Sequence, residues 1–159
     1  TYQNILTQHH DSCGTRASND SMIIEYYLQK GIPCPLIDSE IAVQYSNDNL
    51  KLTHFYASLD DDTLRLFSIW DRVDTSTAFP YSISFQILDA DDTIVLQQDY
   101  ISPFEPIDKR ALNISDLEAG TYTITLILYD PSTGFINQGN IQSNTPQDHA
   151  NLGDFTLSR

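Results

Sequence analysis

Residue types that bind metal ions are grouped near the start of the chain, where His9, His10, Asp11 and Cys13 lie within five residues. Imidazole, carboxylate and thiolate groups are the ligands that Zn²⁺ takes in tetrahedral sites. Zinc sites usually contain a second pair of ligands at a matching spacing, and here only Cys34 follows nearby. We therefore expect no native metal site in this segment and leave the identity of any bound metal open.

Two cysteines and two glycosylation sequons are relevant to the cellular compartment in which the protein resides. In an oxidising compartment Cys13 and Cys34 are expected to form a disulfide, which in the loop-entropy model stabilises the fold by about 3 kcal/mol. Two unpaired thiols are the alternative. Asn19 and Asn113 each begin an Asn-X-Ser triplet and are glycosylation candidates if the chain is exported through a glycosylating pathway.

Two runs of aspartates are candidate calcium ligands: Asp60, Asp61 and Asp62 in one run, and Asp89, Asp91 and Asp92 in the other. Calcium takes several oxygen ligands from carboxylates and carbonyls, but neither run has EF-hand spacing. Aspartate is also common in β-turns because its side chain bonds to nearby backbone. We favour the turn interpretation, and the calcium hypothesis gains weight if both runs lie at one end of the fold.

Aromatic residues offer a candidate ligand-binding surface, and nothing in the sequence indicates a catalytic centre. Phe79, Tyr81 and Tyr100 are candidates for contacts with sugars, whereas we expect Trp70 to belong to the core. The chain contains no Gly-X-Ser-X-Gly elbow or phosphate-binding loop, and His54 lies within an apolar strand pattern where packing is the simpler role. We expect that the chain is not an enzyme.

Composition limits the partners. The net charge is −14 and the isoelectric point is about 4.2, so nucleic acids and anionic lipid surfaces are disfavoured. No apolar run reaches the roughly 18 residues that a membrane span needs. The chain starts with Thr1, from which we expect a processed or trimmed protein.

The hydrophobic pattern divides the chain into two parts. Residues 1–40 are expected to form an extended arm followed by one short helix over about 21–30, with Gly31 as its stop. Residues 41–159 show short runs with period-two alternation separated by turn residues, which is typical of an antiparallel β-sandwich of eight or nine strands.

The stretch from Asp116 to Tyr122 resembles a tyrosine corner. Leu117 is followed by Gly120 and Tyr122, and the strongest predicted strand continues to Tyr129. In Greek-key sandwiches such a tyrosine hydroxyl bonds to backbone a few residues upstream. The sequence therefore predicts an all-β, antiparallel Greek-key sandwich of the immunoglobulin or fibronectin-III kind.

A family resemblance rests on six segments taken in order: 64–70, 81–89, 95–99, 117–122, 128–134 and 152–153. Over residues 50–157 they resemble the extracytoplasmic C-terminal β-sandwich appendage of large bacterial membrane glycosyltransferase-like proteins. A Pro-Thr and Trp-Gly stretch usual in that family is missing from Ile101–Arg110. The resemblance implies a soluble module outside the membrane whose sugar-transfer chemistry resides in another part of the protein, so it implies no catalytic residue here.

Three functions are therefore expected, in decreasing order. The first is a non-catalytic extracytoplasmic module that makes protein or glycan contacts at the cell surface. The second is a structural subunit of a surface assembly or filament, with residues 1–20 added as a strand to a neighbour's sheet edge. The third is a calcium-dependent carbohydrate-binding domain.

Overall fold

The computed structural model describes residues 10–17, 23–29, 36–39, 43–45, 50–72, 81–101, 106–137, 139–141 and 148–158. All regular structure in these ranges is β-strand. No helix in them has the length and apolar character required to cross a membrane.

Thirteen strands are present in the described residues. They are β1 (His10–Ala17), β2 (Ile23–Gln29), β3 (Ile37–Ser39), β4 (Val43–Tyr45), β5 (Leu50–Asp60), β6 (Thr63–Arg72), β7 (Ser82–Leu88), β8 (Ile94–Ile101), β9 (Ile107–Asn113), β10 (Gly120–Tyr129), β11 (Ile136–Asn137), β12 (Gly139–Ile141) and β13 (Ala150–Leu157).

Two antiparallel sheets share one apolar core. The first sheet has the order β12-β4-β5-β6-β9, with β3 also paired to β5, and the second has the order β11-β10-β7-β8, with β13 also paired to β10. Alternate side chains of both sheets, such as Phe55 of β5 and Phe85 of β7, meet in the core with ring centroids 5.7 Å apart. The result is an all-β fold resembling a sandwich, as predicted, in which β6 and β9 bury alternate residues whereas β7 buries six of its seven residues.

The chain crosses between the two sheets several times. β5 and β6 form a hairpin in the first sheet, and β7 and β8 form a hairpin in the second. β9 then returns to pair with β6, after which β10 pairs with β7 on the other side of the core. This alternation leaves β8 and β9 as edge strands of their sheets in the described part of the chain.

The predicted tyrosine corner is confirmed. Tyr122 lies near the start of β10, and its hydroxyl donates a hydrogen bond of 2.9 Å to the carbonyl oxygen of Glu118. Its ring stacks on Phe155 of β13 with centroids 5.6 Å apart. The side chain therefore ties the loop after β9 to the second sheet.

Replacing Tyr122 with phenylalanine should lower the free energy of unfolding by about 0.5–1.5 kcal/mol. The substitution keeps the ring packing on Phe155 but leaves the Glu118 carbonyl without its donor. Urea denaturation followed by fluorescence measures the difference.

Tyr45→Phe is a matched control, because it removes the same hydroxyl from another buried ring. The Tyr45 hydroxyl is buried and has no hydrogen-bond partner in the structure described, and burial raises the pKa of this phenol. Removing an unsatisfied polar group should leave stability unchanged or raise it. Equal losses for both variants would contradict the role assigned to the corner.

The predicted helix over about 21–30 is wrong. Ile23–Gln29 is strand β2, which pairs antiparallel with β1, so residues 10–17 of the predicted arm are half of a hairpin. The segment has two adjacent isoleucines and two adjacent tyrosines, residue types that favour strands, and β1 supplies its backbone hydrogen bonds. Ile37–Ser39, just before the predicted start of the sandwich, also pairs with β5.

A β-bulge in β5 changes which side chains reach the core. The pairing with β6 shifts between Leu52 and His54, so Thr53 is the extra residue, and its hydroxyl donates to the Ile69 carbonyl at 3.0 Å. A continuous alternation from Leu50 would place His54 and Tyr56 in the core. After the bulge, Phe55 and Ala57 are buried instead, and His54 and Tyr56 lie on the outer face.

Candidate functional site

A row of aromatic side chains crosses the outer face of the first sheet. We call this row, made of His54, Tyr56, Phe67 and Lys109, the aromatic band. The rings of His54 and Tyr56 are nearly parallel, 6° between planes, with centroids 6.4 Å apart, and the Tyr56 and Phe67 centroids are 5.7 Å apart. The ammonium group of Lys109 lies 5.7 Å from the centroid of Phe67 and ends the row.

Strand register explains why these side chains meet. Tyr56 is directly opposite Phe67 in the β5–β6 pair, and Phe67 is opposite Lys109 in the β6–β9 pair. Opposite residues in antiparallel strands lie within about 5.5 Å at their Cβ atoms, close enough for rings and long side chains to touch. The rings are half-buried and Lys109 is exposed, so the band is open to a ligand from the solvent side.

A groove adjoins the band at the edge of the sandwich. It has a volume of about 420 Å³ and is lined by Tyr100, Ile107, Asp108 and Lys109, so Lys109 belongs to both features. Tyr100 is 37% exposed and Ile107 is 48% exposed. We call this feature the edge groove. It is bounded by the two edge strands, β8 on one side and β9 on the other.

Exposed apolar side chains are frequent on the two edge strands. Six large hydrophobic residues are exposed in the described residues, and four of them, Ile94, Val95, Tyr100 and Ile107, lie on β8 and β9. Tyr100 and Ile107 line the groove, whereas Ile94 and Val95 lie at the other end of β8. The groove therefore has two exposed apolar walls, which suit a binding surface.

A buried ion pair supports the wall of the groove. Arg110 and Asp108 have side chains only 4% and 9% exposed, and their nearest charged atoms are 2.6 Å apart. Arg110 also donates to the backbone carbonyls of Gln98 in β8 and Ile83 in β7, at 2.6 and 3.0 Å. One guanidinium therefore connects β9 to both strands of the opposite hairpin, which fixes the width of the groove.

The two predicted calcium-binding turns lie at the same end of the sandwich. The amide of Ile114 donates to the carbonyl of Asp62 at 2.8 Å, and a depression of about 390 Å³ is lined by Asp89, Asp91 and the loop 116–122. With both runs at one end of the fold, the calcium hypothesis gains weight.

Several of these carboxylates already make hydrogen bonds or ion pairs within their own turns. Asp60 pairs with Arg65 at 2.8 Å, and Asp89 accepts the amides of Asp91 and Thr93, each at 2.9 Å. Asp61 and Asp92 have φ of 50° and 59°, a conformation that aspartate tolerates better than most residues. No three Asp, Glu, His or Cys groups of the described residues are arranged to hold a metal ion. Calcium binding stays a prediction.

The predicted ligand-facing aromatics have different positions. Tyr100 lines the edge groove, whereas Tyr81 is half-buried and packs against the core. Trp70 is buried in the core, as predicted, and its indole nitrogen donates to Ser68 at 2.9 Å. Phe79 lies outside the described residues.

The predicted disulfide and glycosylation sites lie partly outside the described residues. Cys13 is the extra residue at a register shift between β1 and β2, while Cys34 and Asn19 lie outside the described residues, so the disulfide and the first glycosylation site stay predictions. Asn113 is exposed at the end of β9, where its side-chain oxygen accepts the Ser115 amide at 2.9 Å. Its modification also stays a prediction.

The aromatic band was not predicted from the sequence. His54 was given a packing role because the bulge at Thr53 was not anticipated, and Tyr56, Phe67 and Lys109 were not singled out. One signal was available: Phe67 occupies an outward position in β6, between the inward residues Leu66 and Ser68, where a polar residue is usual.

A scan against protein-family models, a search of curated proteins and a search of solved structures each gave no match to this chain.

Proposed function

We propose that this chain is a non-catalytic β-sandwich module that makes protein or glycan contacts at the cell surface through its aromatic band. The observation that carries the proposal is the continuous surface formed by the band and the edge groove. It offers ring faces, exposed apolar side chains and one ammonium group, which together suit binding.

The connectivity supports a Greek-key interpretation of the fold. Pairing of β9 with β6 and of β10 with β7, together with a tyrosine corner at the start of β10, supports our proposal that the fold is an immunoglobulin-like or fibronectin-III-like module. Such modules present binding surfaces on many extracellular proteins. An extracytoplasmic location, as an appendage of a membrane glycosyltransferase-like protein, is part of the proposal.

Binding of the wild type to separated protein and glycan fractions of a bacterial envelope tests the function. We expect one fraction to be retained, and a Tyr56→Ser/Phe67→Ser variant to lose at least tenfold in affinity. Phe135→Ser removes an aromatic side chain that is 59% exposed away from the band, and it should bind as the wild type does.

Retention that does not depend on the band, or chemical turnover of the retained material, would contradict the proposal. Binding in the presence of a chelator separates it from the calcium-dependent alternative, because the band contains no carboxylate and should bind equally well without divalent cations. Thermal melting of each variant checks that the fold is intact.

A further inference from the structure

We infer that the aromatic band is a binding site for an anionic oligosaccharide, with sugar rings against His54 and Tyr56 and the acid group near Lys109. The inference rests on the proposed function and names the ligand class for the same surface. Its three supports are the geometry of the rings, the local charge and the neighbouring groove.

The ring geometry suits the flat faces of sugars. His54 and Tyr56 present nearly parallel rings, tilted by only 6°, on an outer sheet face. The face of an aromatic ring carries the negative part of its quadrupole, and the C–H groups on one face of a pyranose are weakly positive. The His54 ring is further oriented by a 3.1 Å contact between its Nδ1 and the Thr53 hydroxyl.

The local charge favours an acid. The chain has 8 basic and 22 acidic residues, yet the charged member of the band is a lysine. In the part of the chain that the structure describes, the Lys109 ammonium forms no salt bridge, and it lies over the Phe67 ring. An ammonium has three donors, so a carboxylate or sulfate can bind without displacing that contact.

The acidic end of the sandwich does not cancel this charge. Phe67 lies four residues along β6 from Thr63, which follows the acidic turn, so the separation is about 13 Å. That exceeds the Debye length of about 8 Å at physiological ionic strength. The nearer pair, Arg65 with Asp60, is internally neutral. Asp38 is opposite Tyr56 in the β3–β5 pair, but three strand spacings, about 14 Å, separate it from Lys109.

The edge groove can hold the part of the ligand next to its acid group. It opens beside Lys109, and its volume of about 420 Å³ lies within the roughly 300–1,000 Å³ of small-molecule sites. Tyr100 and Ile107 supply apolar walls for a ring or a substituent next to the acid group. A second copy of the chain is a poorer occupant, since each copy carries a net charge of −14.

A glycan array tests the inference directly. It should contain uronic-acid, sialic-acid and sulfated oligosaccharides beside neutral oligosaccharides of the same backbone. We expect binding to a subset of the anionic members and at least tenfold weaker binding to their neutral counterparts. Lys109→Glu should reduce affinity for the bound members at least tenfold, as should Tyr56→Ser.

Lys51→Glu is the matched control. It makes the same change in net charge on the same sheet face, three residues from His54. Lys51 is opposite Asp71, four residues from Phe67 along β6 and two strands from Lys109, so it lies about 16 Å from the position proposed for the acid group. This variant should lose less than twofold. Equal losses for Lys51→Glu and Lys109→Glu would mean that overall charge decides binding, which would overturn the site.

Failure of the inference differs from failure of the proposed function. Absence of binding to every anionic glycan, with band-dependent binding to an envelope protein or to neutral glycans, would overturn the inference alone. Absence of any band-dependent partner would overturn both.

Discussion

Replacing Arg110 with alanine should lower the free energy of unfolding by about 3–5 kcal/mol, because the Asp108 carboxylate would remain buried without its partner. The two side chains are 4% and 9% exposed, and Arg110 also supplies donors to the Gln98 and Ile83 carbonyls. These contacts join β9 to β7 and β8, so the loss should also loosen the edge groove. Urea denaturation measures the effect.

Arg65→Ala is the control for this prediction. Arg65 makes a similar contact with Asp60 at 2.8 Å, but these side chains are 55% and 44% exposed. A solvent-exposed pair contributes about 0–1 kcal/mol, so this variant should lie in that range. Should both variants cost the same, burial would not explain the importance of Arg110. The double variant Arg110→Met/Asp108→Leu should recover much of the loss, since it leaves no charge behind.

Replacing Phe85 with alanine should cost about 3–5 kcal/mol, as other large-to-small substitutions of buried aromatic residues do. Phe85 is fully buried in β7, where its ring stacks on Phe55 of the opposite sheet at 5.7 Å. The Arg110 guanidinium carbon lies 4.6 Å from the centroid of the same ring. Truncation therefore leaves a cavity between the sheets and removes a cation–π contact.

Two further variants separate these effects. Phe85→Leu keeps much of the volume and should cost clearly less than alanine, while Phe135→Ala, at a position 59% exposed, should change stability by less than about 0.5 kcal/mol. Phe85 and Arg110 touch, so their losses should not add in a double variant. A cost below 1 kcal/mol for Phe85→Ala would contradict the assignment of this ring to the core.

The strands of the sandwich were predictable because their side chains alternate with little interruption. The alternating runs predicted within residues 41–159 correspond to strands such as Leu50–Asp60, Thr63–Arg72 and Gly120–Tyr129. The tyrosine corner was predictable because its leucine, glycine and tyrosine occupy fixed positions in a short loop. Local pattern is sufficient where each strand has one buried face.

The N-terminal hairpin and the aromatic band were not predictable from local pattern. The segment Ile23–Gln29 fits a helical or a strand period, and only its pairing with β1 decides between them. The band depends on pairing register, because an extra residue at Thr53 is visible only once β5 is aligned with β6. Pairing partners are distant in sequence, so no reading of neighbouring residues contains that information.

The irregularity at Thr53 has a consequence for how such a surface can diversify. Because Thr53 is the extra residue, deleting it would leave His54, Phe55 and Tyr56 in plain alternation after Leu52, with Phe55 still inward and both of its neighbours still outward. The bulge therefore absorbs a change of one codon without reversing the two faces of the strand. Relatives of the chain that are one residue shorter at this point should keep the same outer surface, whereas a one-residue change elsewhere in β5 would reverse the faces beyond it.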